Sequence, residues 1–146
     1  MGVTAADRAG SPDPGSPAQA GAVRWSRGPL ALLCLAAWAV PGAGHLWLGR
    51  RQKGWIFLLV LPVMFAVGLA LDGRLFPLEV SEPLVALASV ADAGIGAPYL
   101  VARAAGYGRG PVVSATYEYG NAFLIVAGLL NLLVVLDAFD VALGRK

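Results

Sequence analysis

The sequence predicts an all-α integral membrane bundle of three to four apolar helices, the first of them broken or re-entrant, and three observations lead there. Hydrophobic residues make up 58% of the 146-residue chain and its mean hydropathy is +0.68, against about 45 to 50% apolar in ordinary soluble domains. Only 14% of the residues are charged, where about 25% is usual. The apolar residues fall in long runs rather than as amphipathic stripes, so lipid, not a soluble core, is their expected partner.

Residues 1–28 are rich in Gly, Pro, Ser and Ala. Such a segment buries too little apolar area to offset the entropy of ordering, and it reads as a disordered tail ahead of a transmembrane domain over residues 29–146. Arg24 and Arg27 before the run from Pro29 to Val40, with small residues after it, imitate a signal peptide. The leader would be unusually long, and Arg50, Arg51 and Lys53 would follow soon after cleavage, so the tail reading is preferred. Cys34 is the chain's one cysteine and lies within that run, which leaves no intrachain disulfide and no thiolate metal site.

Four apolar segments follow. The first, Pro29 to Val40, breaks at Pro41-Gly42-Ala43-Gly44 and resumes briefly through His45-Leu46-Trp47-Leu48-Gly49. Twelve helical residues rise about 18 Å, short of the roughly 30 Å hydrocarbon core. The second, Gly54 to Leu71, carries no charge and is long enough to span, with Pro62 as a kink. The third, Pro83 to Ala102, has the length of a span but contains Asp92 and many small residues. Among these, Ser89, Ala93 and Ala97 are spaced to let another helix approach. The fourth, Ala122 to Leu143, is dense in Leu and Val and carries Asn131, Asp137 and Asp140.

Charge sorts the ends. A full first crossing divides the flanking Lys and Arg residues evenly. A hairpin hinged at Pro41 to Gly44, followed by three full spans, puts Arg24, Arg27, Arg50, Arg51, Lys53, Arg103 and Arg109 on one side and Arg74, Arg145 and Lys146 on the other. Seven against three obeys the positive-inside rule, and the hairpin also gathers Trp25, Trp47 and Trp55 at one interface. The expected topology is therefore a re-entrant first segment, three spans and a cytoplasmic N-terminus.

The stretch Pro41-Gly42-Ala43-Gly44-His45-Leu46-Trp47-Leu48-Gly49-Arg50 before an apolar helix resembles the two-transmembrane domain family, with Trp47 where that family usually has Tyr. The last helix, through Leu130-Asn131-Leu132-Leu133-Val134-Val135-Leu136-Asp137, is similar to its second signature. With Thr116-Tyr117-Glu118-Tyr119-Gly120 included, the whole looks more like an uncharacterised bacterial multi-pass family related to it. The resemblance implies a membrane bundle over residues 29–146, with Pro41, Gly42, Gly44, His45, Gly49 and Asp137 as its motif positions, and it supplies no biochemical activity.

The polar residues in these runs are the candidates for chemistry. A charged Asp92 at mid-segment costs on the order of 3 kcal/mol, so it should be protonated, solvated or paired. Asn131 lies at similar depth, and an Asp92–Asn131 hydrogen bond joining their helices is expected; a proton or cation relay is the functional alternative. His45, with no Cys, Asp or Glu near it in sequence, is a poor zinc site and is expected to bond a carbonyl freed by the helix break. Asp137 and Asp140 are expected to anchor against Arg145 and Lys146 at the interface, the alternative being a cation or acid–base pair. Arg50, Arg51 and Lys53 form a basic interfacial turn, each favouring anionic headgroups by about 1 kcal/mol.

Gly42-Ala43-Gly44 and Gly106-Tyr107-Gly108-Arg109-Gly110 lack the spacing and context of nucleotide-binding loops, and one histidine leaves no Ser-His-Asp arrangement. The expectation is a non-enzymatic structural or interaction module of a bacterial inner membrane, with no cofactor and no nucleic acid. Its partners would be the bilayer and other membrane proteins or a second copy. The alternative is a small ion or solute pathway through Asp92.

Overall fold

The computed structural model describes residues 27–77 and 82–145. Among these described residues lie six helices in this order: α1 (Arg27–Ala39), α2 (Ala43–Trp47), α3 (Arg51–Ala70), α4 (Pro83–Ala93), α5 (Ala97–Ala104) and α6 (Tyr117–Ala142). The expected tail over residues 1–28 lies outside the described residues except for Arg27 and Gly28, which already belong to α1. Trp25 and Lys146 also lie outside them.

Among the described residues two helices, α3 and α6, are each long and apolar enough to cross a membrane. The 20 residues of α3 rise about 30 Å, one hydrocarbon core, and the 26 of α6 rise about 39 Å. They lie antiparallel: a Cβ added at Gly68, near the end of α3, would come within 2.9 Å of the Gly120 carbonyl at the start of α6. At the opposite end, Lys53 of α3 reaches Asp137 of α6. The buried residues of α6, from Gly120 through Leu124, Ala127, Gly128, Asn131, Val134 and Ala138 to Ala142, recur every three or four positions and so form one face. Most are small, while Leu129, Leu130, Leu133 and Leu136 point to lipid. In a bilayer, lipid is as apolar as leucine, so small side chains mark the packed face.

Both remaining pairs are hairpins. A Cβ on Gly44 would stand 2.8 Å from that of Ala37, although seven residues of continuous helix would separate the two by about 10 Å. The chain therefore reverses at Pro41 and Gly42, as expected for a re-entrant first segment. The third segment does the same, and here the expected full span is corrected. Helices α4 and α5 meet at 107°. Beyond α5 the chain returns to where α3 ended: Leu75 N–H donates to the Gly108 carbonyl at 3.0 Å, and Arg74 and Arg109 form an isolated antiparallel bridge. The seven-to-three division had placed those two arginines on opposite sides. Its physical fault was to count Gly94, Gly96 and Ala97 among the small packing residues of one span when Gly94 to Pro98 is a break.

The two hairpins use one local device. Gly42 precedes α2 with φ 84° and ψ −11°, a left-handed conformation that costs another L-residue about 1–2 kcal/mol, and Gly96 precedes α5 with φ 81° and ψ −127°, outside that region and again a positive φ that favours glycine. Each short helix then ends two residues before a glycine of positive φ, Gly49 or Gly106, with matching bonds from Arg50 N–H to His45 O and from Tyr107 N–H to Ala102 O, both 2.9 Å. The hairpins enter from opposite ends of α6. The tip of α1 and the tip of α4 meet at its middle.

Candidate functional site

Breaking a helix inside a bilayer leaves carbonyls that no water can satisfy, each costing several kcal/mol. Asn131 resolves two of them. Its Nδ2 donates to the Trp38 carbonyl of α1 at 3.1 Å and to the Gly94 carbonyl capping α4 at 2.9 Å. Trp38 adds a third tie, donating from its indole Nε1 to the Ala93 carbonyl at 3.1 Å. The junction is close because glycines line it: a Cβ at Gly96 would run into the Trp38 carbonyl, and one at Gly128 into the Ala91 carbonyl. Asn131 is fully buried, and its Oδ1 has no hydrogen-bond partner.

The expected Asp92–Asn131 bond is not formed. Asp92 is fully buried on another face of α4, where its Oδ2 accepts the backbone N–H of Phe76 at 3.1 Å. Similar depth in two segments says nothing about which way each residue points around its helix. Asp92 thus pins the segment after α3, whose Leu75 is buried in the same core as Tyr99, Ala102 and Leu124. Its Oδ1 is buried and unpartnered. Ser89 is buried within the molecule as well, whereas Ala93 and Ala97 are half-buried and the break puts Ala97 on α5, so the expected small-residue row does not run along one helix.

A second polar cluster sits where α2 meets the start of α3 and the end of α6. His45 Nε2 and Asp137 Oδ2 are 2.9 Å apart, and Lys53 Nζ lies 3.9 Å from the same oxygen. The His45 ring is fully buried, edge-on to Phe57 with centroids 5.3 Å apart. The expected bond to a freed carbonyl is therefore replaced by one to a carboxylate 92 residues away in sequence. Gly42, Gly44 and Gly54 allow the approach: α2 presses against Ala37, Ala138 and the Gly54 backbone, where side chains would collide. Of the interfacial anchors expected for Asp137 and Asp140, the structure gives Asp140 to Arg145 at 3.6 Å and Asp137 to His45 and Lys53. Arg50 and Arg51 are exposed beside Lys53, and Gly49 sits at the turn just before them.

Among the described residues no three His, Cys, Asp or Glu side chains cluster as metal ligands would. Asp92, Asn131 and the His45–Asp137 pair occupy three separate places, so the acids and the histidine do not converge. Sequence reading singled out each of these residues but missed Trp38, which bonds at the junction through both its ring and its carbonyl.

Fold and sites define an all-α membrane bundle whose buried polar groups hold broken helices together. The chain belongs to a family of unknown function, DUF6677, whose model matches residues 32–146. No curated protein and no solved structure matches it.

Proposed function

We propose that this chain is a non-enzymatic structural or interaction module of a bacterial inner membrane, related to the two-transmembrane domain family. One observation carries the reading: Asn131 spends both amide donors on the ends of α1 and α4. Asp92 and His45 are likewise engaged in tying segments to one another. Polar groups used in this way hold a shape, and a shape held in lipid serves contact with other membrane components. Helix α4 offers Leu84, Leu87 and Val90 outward as a contact row. Arg27, Arg50, Arg51, Lys53 and Arg145 lie toward the α3-start end and Arg74, Arg103 and Arg109 toward the other. The positive-inside rule then puts the N-terminal end in the cytoplasm. Photo-cross-linkers at Leu84 and Leu87 in native membranes are expected to trap a protein partner or a second copy. Cross-links to lipid alone from both positions contradict the proposal.

The buried, unpartnered Oδ1 of Asp92 favours a second reading, a proton or small-cation pathway entering beside Phe76. Flux into proteoliposomes that is abolished by Asp92→Asn, with folding unchanged, supports it. Absence of flux between acid and neutral pH eliminates it.

A further inference from the structure

A groove of about 330 Å³ runs between α3 and α6, lined by Ile56, Val60, Leu61, Leu130 and Leu133, with Asp137 as its polar end. From Asp137 to Leu130 is seven residues of helix, about 10 Å, so the groove lies within one leaflet. Its Asp137 end lies beside Lys53, the last residue of the basic turn. Lys53, Ile56 and Val60 follow the helical spacing of one face of α3, which carries the apolar groove up to the charged residues. Lys53 shares the Asp137 carboxylate, whereas Arg50 and Arg51 make no ion pair among the described residues. Asp137 is the one charged residue in the lining; Lys53 stands beside it and Arg50 and Arg51 belong to the turn before, so cations flank the polar end of an apolar slot of single-leaflet depth.

We infer that this groove binds an anionic phospholipid, with one acyl chain between α3 and α6 and the phosphodiester at Arg50, Arg51 and Lys53. The groove of about 510 Å³ between α3 and α5 has a lining that is apolar apart from Tyr107, and among the described residues no ion pair involves that lining, whereas Lys53 meets Asp137 at the first groove. Charge complementarity separates the two. A planar guanidinium binds phosphate through paired donors, and two unpaired ones beside a lysine favour an anionic headgroup over a zwitterionic one.

The test is native mass spectrometry of the full chain from detergent holding equal amounts of phosphatidylglycerol and phosphatidylcholine. Retained phosphatidylglycerol is expected to exceed phosphatidylcholine by roughly fivefold or more, the discrimination one basic residue supplies at a membrane surface. Arg50→Gln with Arg51→Gln is expected to bring the ratio to about one. Leu133→Trp, which fills the slot from an exposed position, is expected to lower retention of both lipids. The soluble headgroup glycerophosphoglycerol alone is expected to leave no adduct. Equal retention by the unaltered chain, a preference that survives the double arginine change, insensitivity to Leu133→Trp, or retention of the free headgroup each overturns the inference.

Discussion

At the residue scale, the question for each buried polar group is what it would cost to remove its partner. Asn131→Ala leaves the Trp38 and Gly94 carbonyls unpaired in an apolar junction. Loss of a buried partner costs about 1–3 kcal/mol, and interhelical bonds in membranes average nearer 0.6. Because two carbonyls are orphaned together, a loss of about 1–3 kcal/mol is expected in reversible unfolding from mixed micelles. His45 and Asp137 form a discrete pair, and a double-mutant cycle with His45→Phe and Asp137→Asn isolates it. Phenylalanine keeps the ring against Phe57. The coupling expected from unfolding free energies is about 0.6–1.7 kcal/mol in favour of the native pair, and a coupling of zero contradicts the assigned contact. These residues were visible in the sequence as polar interruptions of apolar runs, but their partners were not. The separation of 92 positions between His45 and Asp137 leaves no local trace, and hydropathy records depth without direction around the helix.

At the element scale, the short helices owe their placement to glycines. Gly42 and Gly96 occupy positive φ at the two hairpin tips, and a Cβ on either would strike backbone, the Gly54 carbonyl in one case and the Trp38 carbonyl in the other. Gly96→Ala and Gly42→Ala are each expected to lower stability by more than the 1–2 kcal/mol of the backbone term alone. Gly28→Ala, with nothing within 4 Å, is the neutral control. Equal melting temperatures for all three variants contradict the hairpin geometry. The first break was legible because Pro41-Gly42-Ala43-Gly44 falls after a helix too short to span. The second was not, since Pro83 to Ala102 has a span's length and its small residues, with Ser89, Ala93 and Ala97 as a row, read as packing for a neighbour rather than as a break at Gly94 to Pro98. The same Gly and Pro chemistry produces both turns, and segment length concealed one of them.

At the scale of the whole molecule, the all-α membrane bundle followed from composition, while its connectivity depended on a single segment. With three spans, the start of α3 and the end of α6 lie on opposite sides. With two spans and two hairpins they share one, as the antiparallel packing of α3 and α6 requires. The sorting of charge changes with it: Arg145 joins Arg50, Arg51 and Lys53, while Arg103 and Arg109 join Arg74. A bias toward the α3-start end survives because residues moved in both directions. Charge counting alone could not tell these arrangements apart. The bridge between Arg74 and Arg109 can.

That bridge also gives the most direct test. Single cysteines at Arg51, Arg74, Arg109 and Arg145, in a chain with Cys34→Ala, are labelled with a membrane-impermeant maleimide in sealed vesicles of both orientations. Two spans and two opposed hairpins predict that positions 51 and 145 label from one side and 74 and 109 from the other. Labelling of 74 and 109 from opposite sides would show that the α4–α5 segment crosses the membrane and would contradict the architecture described for it.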